Sequence, residues 1–553
     1  MMRAAWGAAA LCRSSRLLGT ALGLVALVGA GLRLIQSGES LWLDELHTAW
    51  CALADWHEVA ARAADGNQGP LFFWLQWGLV RLLGASELTL RLTSIVASTG
   101  LVLLVGLWVA RHGSPLAGLT AATLLAIDPW GIFWGSEARP YALVQVLGAA
   151  HLLAVEPLLT RPTRSWRLVW VLVGAALFHL HYTAALLLAA EAAIAGLWWA
   201  LWPQQVVYRR AQAARDVLAL LLLMWPAAGT LAEIGQRRAN WALFVDVQPL
   251  DQLLAWWPLA FGLVLIVGAK AAHAGLRRLG WSPPGQSPPG PAPQDLVAVA
   301  CWLLVPASLA WLATETDLAR LFFPRYLAAC LPAATILGAW TIDLAPGRWG
   351  RVVAAGVLLG AAGYASDLLP ELARSGRPIA HRREDWRSAV AWLQAQYAAH
   401  PGPVLLHSGI IEADVLREGP TPRELAYCRF PLRGLYRLEV PDEELIPLPR
   451  RRPRQDYLLP PVRRRLAEAD GCWLVVRGPP ERARWIAVRL IAELHGHAFG
   501  RVSDVAAGDE EETLWHRHHG PRWHIVQREE FGDLSVVRLA RSALRTDPPS
   551  TAP

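Results

Sequence analysis

Two adjacent carboxylates, Asp44 and Glu45, stand in 38-GESLWLDELHTAWC-51 just beyond the first apolar run of the chain. A carboxylate at the edge of a bilayer, where water is partly excluded, can take a proton from a hydroxyl or amine nucleophile. Neighbouring side chains on a helix diverge by about 100°, so the pair is expected to divide its work. One faces a reacting centre and the other holds the loop or a cation. The plainer reading is that Asp44 caps a helix beginning at Glu45. Further on, 134-WGSEARPYAL-143 sets Arg139 between Glu137 and Tyr141, and 314-TETDLARLFFPRYLAACLP-332 carries Arg320 and Arg325. Guanidinium groups suit bidentate contact with phosphate; the plainer role for Arg139 is a snorkelling side chain paired with Glu137. In 179-HLHYTAA-185, His179 and His181 are weaker candidates for binding a metal or a substrate and Tyr182 for substrate contact, against a hydrogen-bonded structural role for the histidines.

These residues need a scaffold, and composition says which kind. Of 553 residues 54% are hydrophobic and 29 are tryptophan, with a mean hydropathy of +0.28, too apolar for one soluble domain. The net charge of +7 does not point to nucleic acid. Lys270 is the only lysine, and the arginines fall mainly in short loops between apolar runs, as membrane topology requires. The six cysteines have no metal-ligand spacing; Cys428 and Cys472 could form a disulfide outside the cytosol.

Apolar spans are read at 17–36, 89–110, 115–134, 141–159, 168–182, 184–202, 216–232, 254–269, 296–313, 326–343 and 352–369, eleven in all. The run 69-GPLFFWLQWGLVRLLG-84 is shorter than the roughly 20 residues a crossing needs and is read as a helix on the outer surface. This parity puts 161-RPTRSWR-167 and 208-YRRAQAAR-215 in the cytoplasm and the carboxylate pair outside. Leu46, Trp50, Leu53, Trp56 and Ala60 recur at helical spacing, so the loop is expected to begin as an amphipathic helix on the bilayer, with Leu41-Trp42-Leu43 fixing its depth. The long outer loop 233–252 is a weaker candidate for closing over a substrate. Residues 1–374 thus form one domain, with a first outer loop at 37–88 and a cytoplasmic Pro-rich linker at 282–294. Residues 375–553 form an extracytoplasmic α/β domain with a disordered C-terminal end. Its strands are expected at 403–408, 472–478 and 534–540 and its helices at 384–397 and 484–496.

In order and spacing, 32-LRLIQSGESLWLDELHTAW-50, 69-GPLFFWLQWGLVRLLG-84, 87-ELTLRL-92, 136-SEARPYAL-143, 181-HYTA-184 and 325-RYLAACLPA-333 resemble the family 39 glycosyltransferases and their relatives in the GT-C superfamily. Those relatives include protein O-mannosyltransferases, aminoarabinose transferases of lipid A and lipopolysaccharide-core galacturonosyltransferases. The resemblance spans about residues 15–345. It implies a polytopic α-helical, GT-C-like membrane fold and transfer of a sugar from a polyprenyl-phosphate donor to an extracytoplasmic glycan, lipid or protein, with inversion at the anomeric carbon. It further implies Asp44 as general base with Glu45 in support, Arg139 as a donor-phosphate contact, and no obligatory metal. Two departures stand out. The chain has 67-NQGPL-71 where many relatives have His-Pro-Pro-Leu, and its tail does not resemble the sugar-binding repeats of eukaryotic O-mannosyltransferases. The expected location is the bacterial inner membrane, multi-pass, with the site on the outer face. A transporter or lipid flippase is the competing reading, and ionisable residues gathered at one face instead of mid-span argue against it. A catalytically dead envelope scaffold is the third.

Overall fold

The computed structural model describes residues 2–236, 245–279, 290–380, 382–450, 456–495 and 523–542. Parts of the sequence reading lie outside these residues: 282–289 of the Pro-rich linker, 237–244 of the outer loop and the chain end from 543. The chain divides into two units, one of residues 1–38 and 54–380, the other of residues 39–53 and 381–553. Where the sequence reading kept the whole of 37–88 in the first domain, the carboxylate-bearing segment 39–53 groups with the tail.

The first unit is helical because its apolar runs leave the backbone no partner but itself. Seven described helices are long and apolar enough to cross a membrane, or nine if two bent pairs each count as one span. Among the remaining expected spans, Arg164–Leu180 has 17 residues and Ala328–Leu344 is a shorter apolar helix. Leu71–Leu83 is a separate helix of 13 residues. Short polar residues start the helices. Ser86 accepts from the Thr89 N–H, Ser114 from that of Ala117 and Asp128 from that of Gly131, the last two with proline next in the chain. Glycines let the hairpin Glu87–His112 and Pro115–Ile127 close: a Cβ on Gly118 would lie 2.5 Å from the Gly106 carbonyl oxygen.

The bent pair Pro115–Ile127 and Pro129–Gly135 turns by 62°, which strands carbonyls inside the unit. Buried Arg33 takes them up, donating to Leu125 and Ala126 at 3.0 Å each, and reaches Ser98 Oγ at 2.7 Å and the Gly29 carbonyl at 2.9 Å. A second buried polar network joins three helices. His151 Nδ1 meets Glu191, His151 Nε2 meets the Trp170 carbonyl at 2.8 Å, and Trp170 Nε1 donates to Glu191 at 3.1 Å. The expectation that ionisable groups avoid the spans therefore fails at Arg33, His151 and Glu191. Each is engaged by its neighbours, which makes these groups joints between helices.

The second unit is built on a five-stranded sheet of order β2-β1-β3-β5-β4, with β1 Val404–His407, β2 Leu445–Pro447, β3 Gly471–Arg477, β4 Trp523–Glu530 and β5 Leu534–Arg541. β1 is parallel to β2 and β3, and β5 is antiparallel to β3 and β4. Both faces are covered, so strands such as Gly471–Arg477 are continuously apolar instead of alternating. Leu405, Leu474, Val476, Val537 and Leu539 pack with Ala483, Ile486 and Leu490 of the helix Pro480–Leu494. On the other face Trp392, from Trp386–Tyr397, meets Trp473 edge-on at 5.9 Å. Cys428 and Cys472 are free thiols in different core clusters, so the disulfide does not form. Burial pushes both up to about 12.

Two outcomes are expected. Glu191→Ala should lower the thermal stability of the detergent-solubilised protein by about 1–3 kcal/mol, because it leaves a buried imidazole and an indole N–H without an acceptor; Glu191→Gln should cost less. His407 ends β1 buried, and burial with the nearby charges of Arg482 and Arg477 holds its imidazole down at about 4 from the ordinary 6.5. The unfolded chain then binds the extra proton between these values, so His407 makes the tail less stable as pH falls from about 6.5 to 4 and contributes no slope above. Urea unfolding followed at pH 5 and pH 7 should show His407→Leu with the shallower pH dependence, by about 1–3 kcal/mol.

Candidate active site

The carboxylate pair sits in the first turn of a ten-residue helix, Leu43–Ala52. The helix begins two residues earlier than the sequence suggested, with Trp42 at the cap position, and so the expected cap moves. Glu45, not Asp44, reaches back to accept the Trp42 N–H at 3.3 Å. This is half of a capping box, since an indole has no acceptor for the returning bond. Glu45 is wholly buried and pairs with Arg382 at 3.4 Å. Asp44, one residue before it, is only partly buried. Of the two carboxylates Glu45 thus has the holding role, and Asp44 is the one with access to solvent.

The surroundings of this helix also differ from the expected bilayer surface. Leu46 and Trp50 are buried within the tail unit, and Trp50 packs on Tyr427 at 5.4 Å and edge-on to Phe430 at 5.2 Å. His47 Nδ1 meets the Tyr427 hydroxyl at 3.1 Å. Leu43 joins the cluster of Ile410, Ala413, Leu416 and Cys428. The Leu-Trp-Leu triplet is anchored by protein, and the helical repeat breaks after Ala52, with short helices following at Trp56–Glu58 and Val59–Asp65. The apolar face was legible in the sequence; its partner lies more than 350 residues further along the chain, as the His47 and Tyr427 contact shows.

In the first unit the structure gathers a second group. Glu137 and Arg139 lie buried in the turn between Pro129–Gly135 and Tyr141–Leu153, where Ser94 Oγ donates to the Arg139 carbonyl at 3.1 Å. Tyr141 and His181 lie 5.4 Å apart, ring centre to ring centre, and line a narrow crevice with Arg325, Tyr326 and Pro306. The charges of Arg139 and Arg325 both bear on the His181 ring. The Thr183 N–H and hydroxyl both approach His181 Nδ1, at 3.4 Å and 2.7 Å. Four predicted members of this unit do not line the crevice: Glu137 and Arg139 lie in the turn described above, and Arg320 and Tyr182 are engaged elsewhere. Arg320 pairs with Asp317 at 3.0 Å, and Tyr182 faces Phe178 and hydrogen-bonds Thr230. His179 is also a structural residue, meeting the Leu223 carbonyl at 2.9 Å.

Sequence reasoning missed the residues that hold these groups. Gln145 and Trp302 donate to the Ala328 and Ala329 carbonyls at 2.8 Å each, and Thr314 Oγ1 accepts from the Leu321 and Phe322 N–H groups at 2.9 Å each. Together they fix the irregular stretch carrying Arg325. A lone Gln in an apolar run was the only signal for them. Among the described residues one group has metal-ligand proximity: His112, Glu156 and Asp295, with ligand atoms within 4.8 Å of one another. His112 ends the helix Glu87–His112. It therefore lies about 27 Å along that helix from Ser94, which holds the Arg139 turn, at about 1.5 Å per residue.

No protein-family model and no curated protein sequence matches the chain. Among solved structures it is similar to ArnT from Cupriavidus metallidurans in the apo state, with a TM-score of 0.51 at 10% identity over 95% of this chain and 98% of that one. ArnT bound to undecaprenyl phosphate gives 0.49 at 11% identity, covering 94% and 97%. The Archaeoglobus fulgidus oligosaccharyltransferase with Zn and sulfate gives 0.43 at 14% identity, covering 70% and 60%. At such identity the likeness to ArnT is one of fold alone.

Proposed function

We propose that this chain is an integral-membrane glycosyltransferase that moves a sugar from a polyprenyl-phosphate donor to an acceptor outside the cytoplasm. The observation that carries this reading is the division within the carboxylate pair: Glu45 is buried and engaged, and Asp44 stands beside it with access to solvent. Asp44 takes the proton of an acceptor hydroxyl or amine as the acceptor atom bonds to the anomeric carbon. The bond from that carbon to the phosphate oxygen breaks, its electron pair leaves with the polyprenyl phosphate, and attack opposite the leaving group inverts the centre. Arg139 and Arg325 take the growing phosphate charge. Arg320, paired with Asp317, drops out of this role. The proton goes to a carboxylate and the phosphate charge to guanidinium groups, so the scheme asks for no metal.

The proposal includes the eleven-span topology. The amino terminus lies inside, Arg161, Arg164 and Arg167 are cytoplasmic, and the site and tail are in the inner-membrane exterior of a bacterium. The hydroxyl- or amine-bearing acceptor is a glycan, lipid or protein of the envelope.

The test is release of polyprenyl phosphate from a panel of polyprenyl-phosphate sugars by the purified protein, with an envelope extract supplying acceptor. Asp44→Asn should lower kcat at least about a hundredfold, the range for loss of a general base, while remaining folded. Arg325→Gln should act mainly through the donor, raising its KM about tenfold. An Asp44→Asn protein that keeps pace with wild type would remove Asp44 as the base.

A further inference from the structure

In the tail sheet the chain runs from β1 out to β2, then returns past β1 to reach β3. Connections leaving the carboxyl ends of β1 and β3 therefore diverge, and in open α/β sheets a ligand commonly sits at such a point. Arg477, the last residue of β3, donates to Glu384 from Nε at 2.7 Å. Glu384 is buried and also accepts from Trp386 Nε1 at 3.1 Å and from the N–H of Leu43 at 3.0 Å. The residues leaving β1 after His407 reach Ile410, Ala413 and Leu416, against which Leu43 packs. Two more backbone groups just before Leu43 are also taken. The Leu41 N–H donates to the Tyr436 hydroxyl at 2.7 Å and the Trp42 N–H to Glu45 at 3.3 Å. At the carboxyl edge of this sheet the bound element is the chain's own segment 39–53.

Leu43 is the first residue of the helix and Asp44 the second. The free N–H groups of a first turn have no intrahelical partner, so an external acceptor on Leu43 sets the direction in which that turn starts. We propose that Glu384 is a positioning residue for Asp44, its Oε1 held by Arg477 and its Oε2 accepting both the Trp386 indole N–H and the Leu43 amide, with Tyr436 as a second support on Leu41. The tail unit then both carries and aims the base. This rests on the reading of Asp44 as base. A shift of about 1 Å in a reacting group can cost about a hundredfold in rate, so loss of the support reads out in kcat.

The experiment uses the full-length protein and pairs turnover with amide hydrogen exchange. Glu384→Ala should lower kcat about 10- to 100-fold with the donor KM within about twofold of wild type. Exchange in a peptide covering 39–46 should quicken about tenfold or more, with β1 and β3 as protected as in wild type. Tyr436→Phe, which loses only one hydroxyl, should move both readouts the same way by less. A merely structural role would loosen β1 and β3 too and would not separate kcat from KM. Unchanged exchange at 39–46 in both variants overturns the clamp even if sugar transfer is confirmed. A loosened loop with unchanged kcat overturns the positioning role. No turnover in wild type alongside a loosened loop overturns the glycosyl-transfer reading, and the positioning of a base with it.

Discussion

Three consecutive peptide N–H groups, those of Leu41, Trp42 and Leu43, enter the helix that carries Asp44, and a helix cannot satisfy its own first amides. Each is met by a side-chain oxygen: Tyr436, Glu45 and Glu384. Only one of these acceptors lies nearby in sequence. Because the other two come from the tail, the segment 39–53 groups with the tail unit, although in sequence it falls between residues 1–38 and 54–380 of the first unit. The buried pair of Arg382 and Glu45, the packing of Trp50 on Tyr427 and Phe430, and the bonds from Arg387 to Ser40 at 3.3 Å and from Arg382 to Glu39 at 3.4 Å all follow from that placement. Each removes a polar or apolar group of the loop from water, and together they leave Asp44 the accessible carboxylate of its pair.

The membrane-spanning unit obeys the same accounting in a drier setting. Where Pro115–Ile127 breaks into Pro129–Gly135, the freed carbonyls go to Arg33, and the capping bond of the second helix comes from Asp128. Arg91 donates to the Ser37 carbonyl at 2.7 Å and Gln36 accepts the Ile379 N–H at 3.3 Å, so the end of the first helix is fixed within its own unit just before the loop begins. These buried cations are spoken for by carbonyls and hydroxyls, which is how a low-dielectric interior keeps a guanidinium at acceptable cost.

Much of this was legible in the sequence where the signal was local. Apolar runs such as 87–112 and 293–315 gave spans, and the helix at 71–83 was readable from its length. The strands at 404–407, 471–477 and 534–541 followed from continuous apolar runs bounded by Gly and Pro. Asp44 and Glu45 stood out by type and position. What sequence did not show was which partner a residue would find. Glu384 looks like any acid at a helix start, yet it bonds an amide 341 residues earlier. Arg320 and Arg325 are equivalent by charge and spacing, but a local Asp317 takes the first, and the crevice keeps the second. Cys428 and Cys472 could have paired on composition alone, but the fold places them in separate core clusters.

The discontinuous tail unit also sets an order in time. During synthesis at about 5–20 residues per second, the loop around Leu41 leaves the ribosome well before Tyr436, which is 395 residues later. For about 20–80 seconds the segment that bears Asp44 exists without the hydroxyl, carboxylate and aromatic faces that shape it. A nascent chain therefore carries the loop unformed until translation has passed Tyr436, which supplies the last of its side-chain acceptors. A messenger cut short before the codon for Glu384 yields a chain that has its carboxylate pair but neither the carboxylate nor the hydroxyl that hold the Leu43 and Leu41 amides.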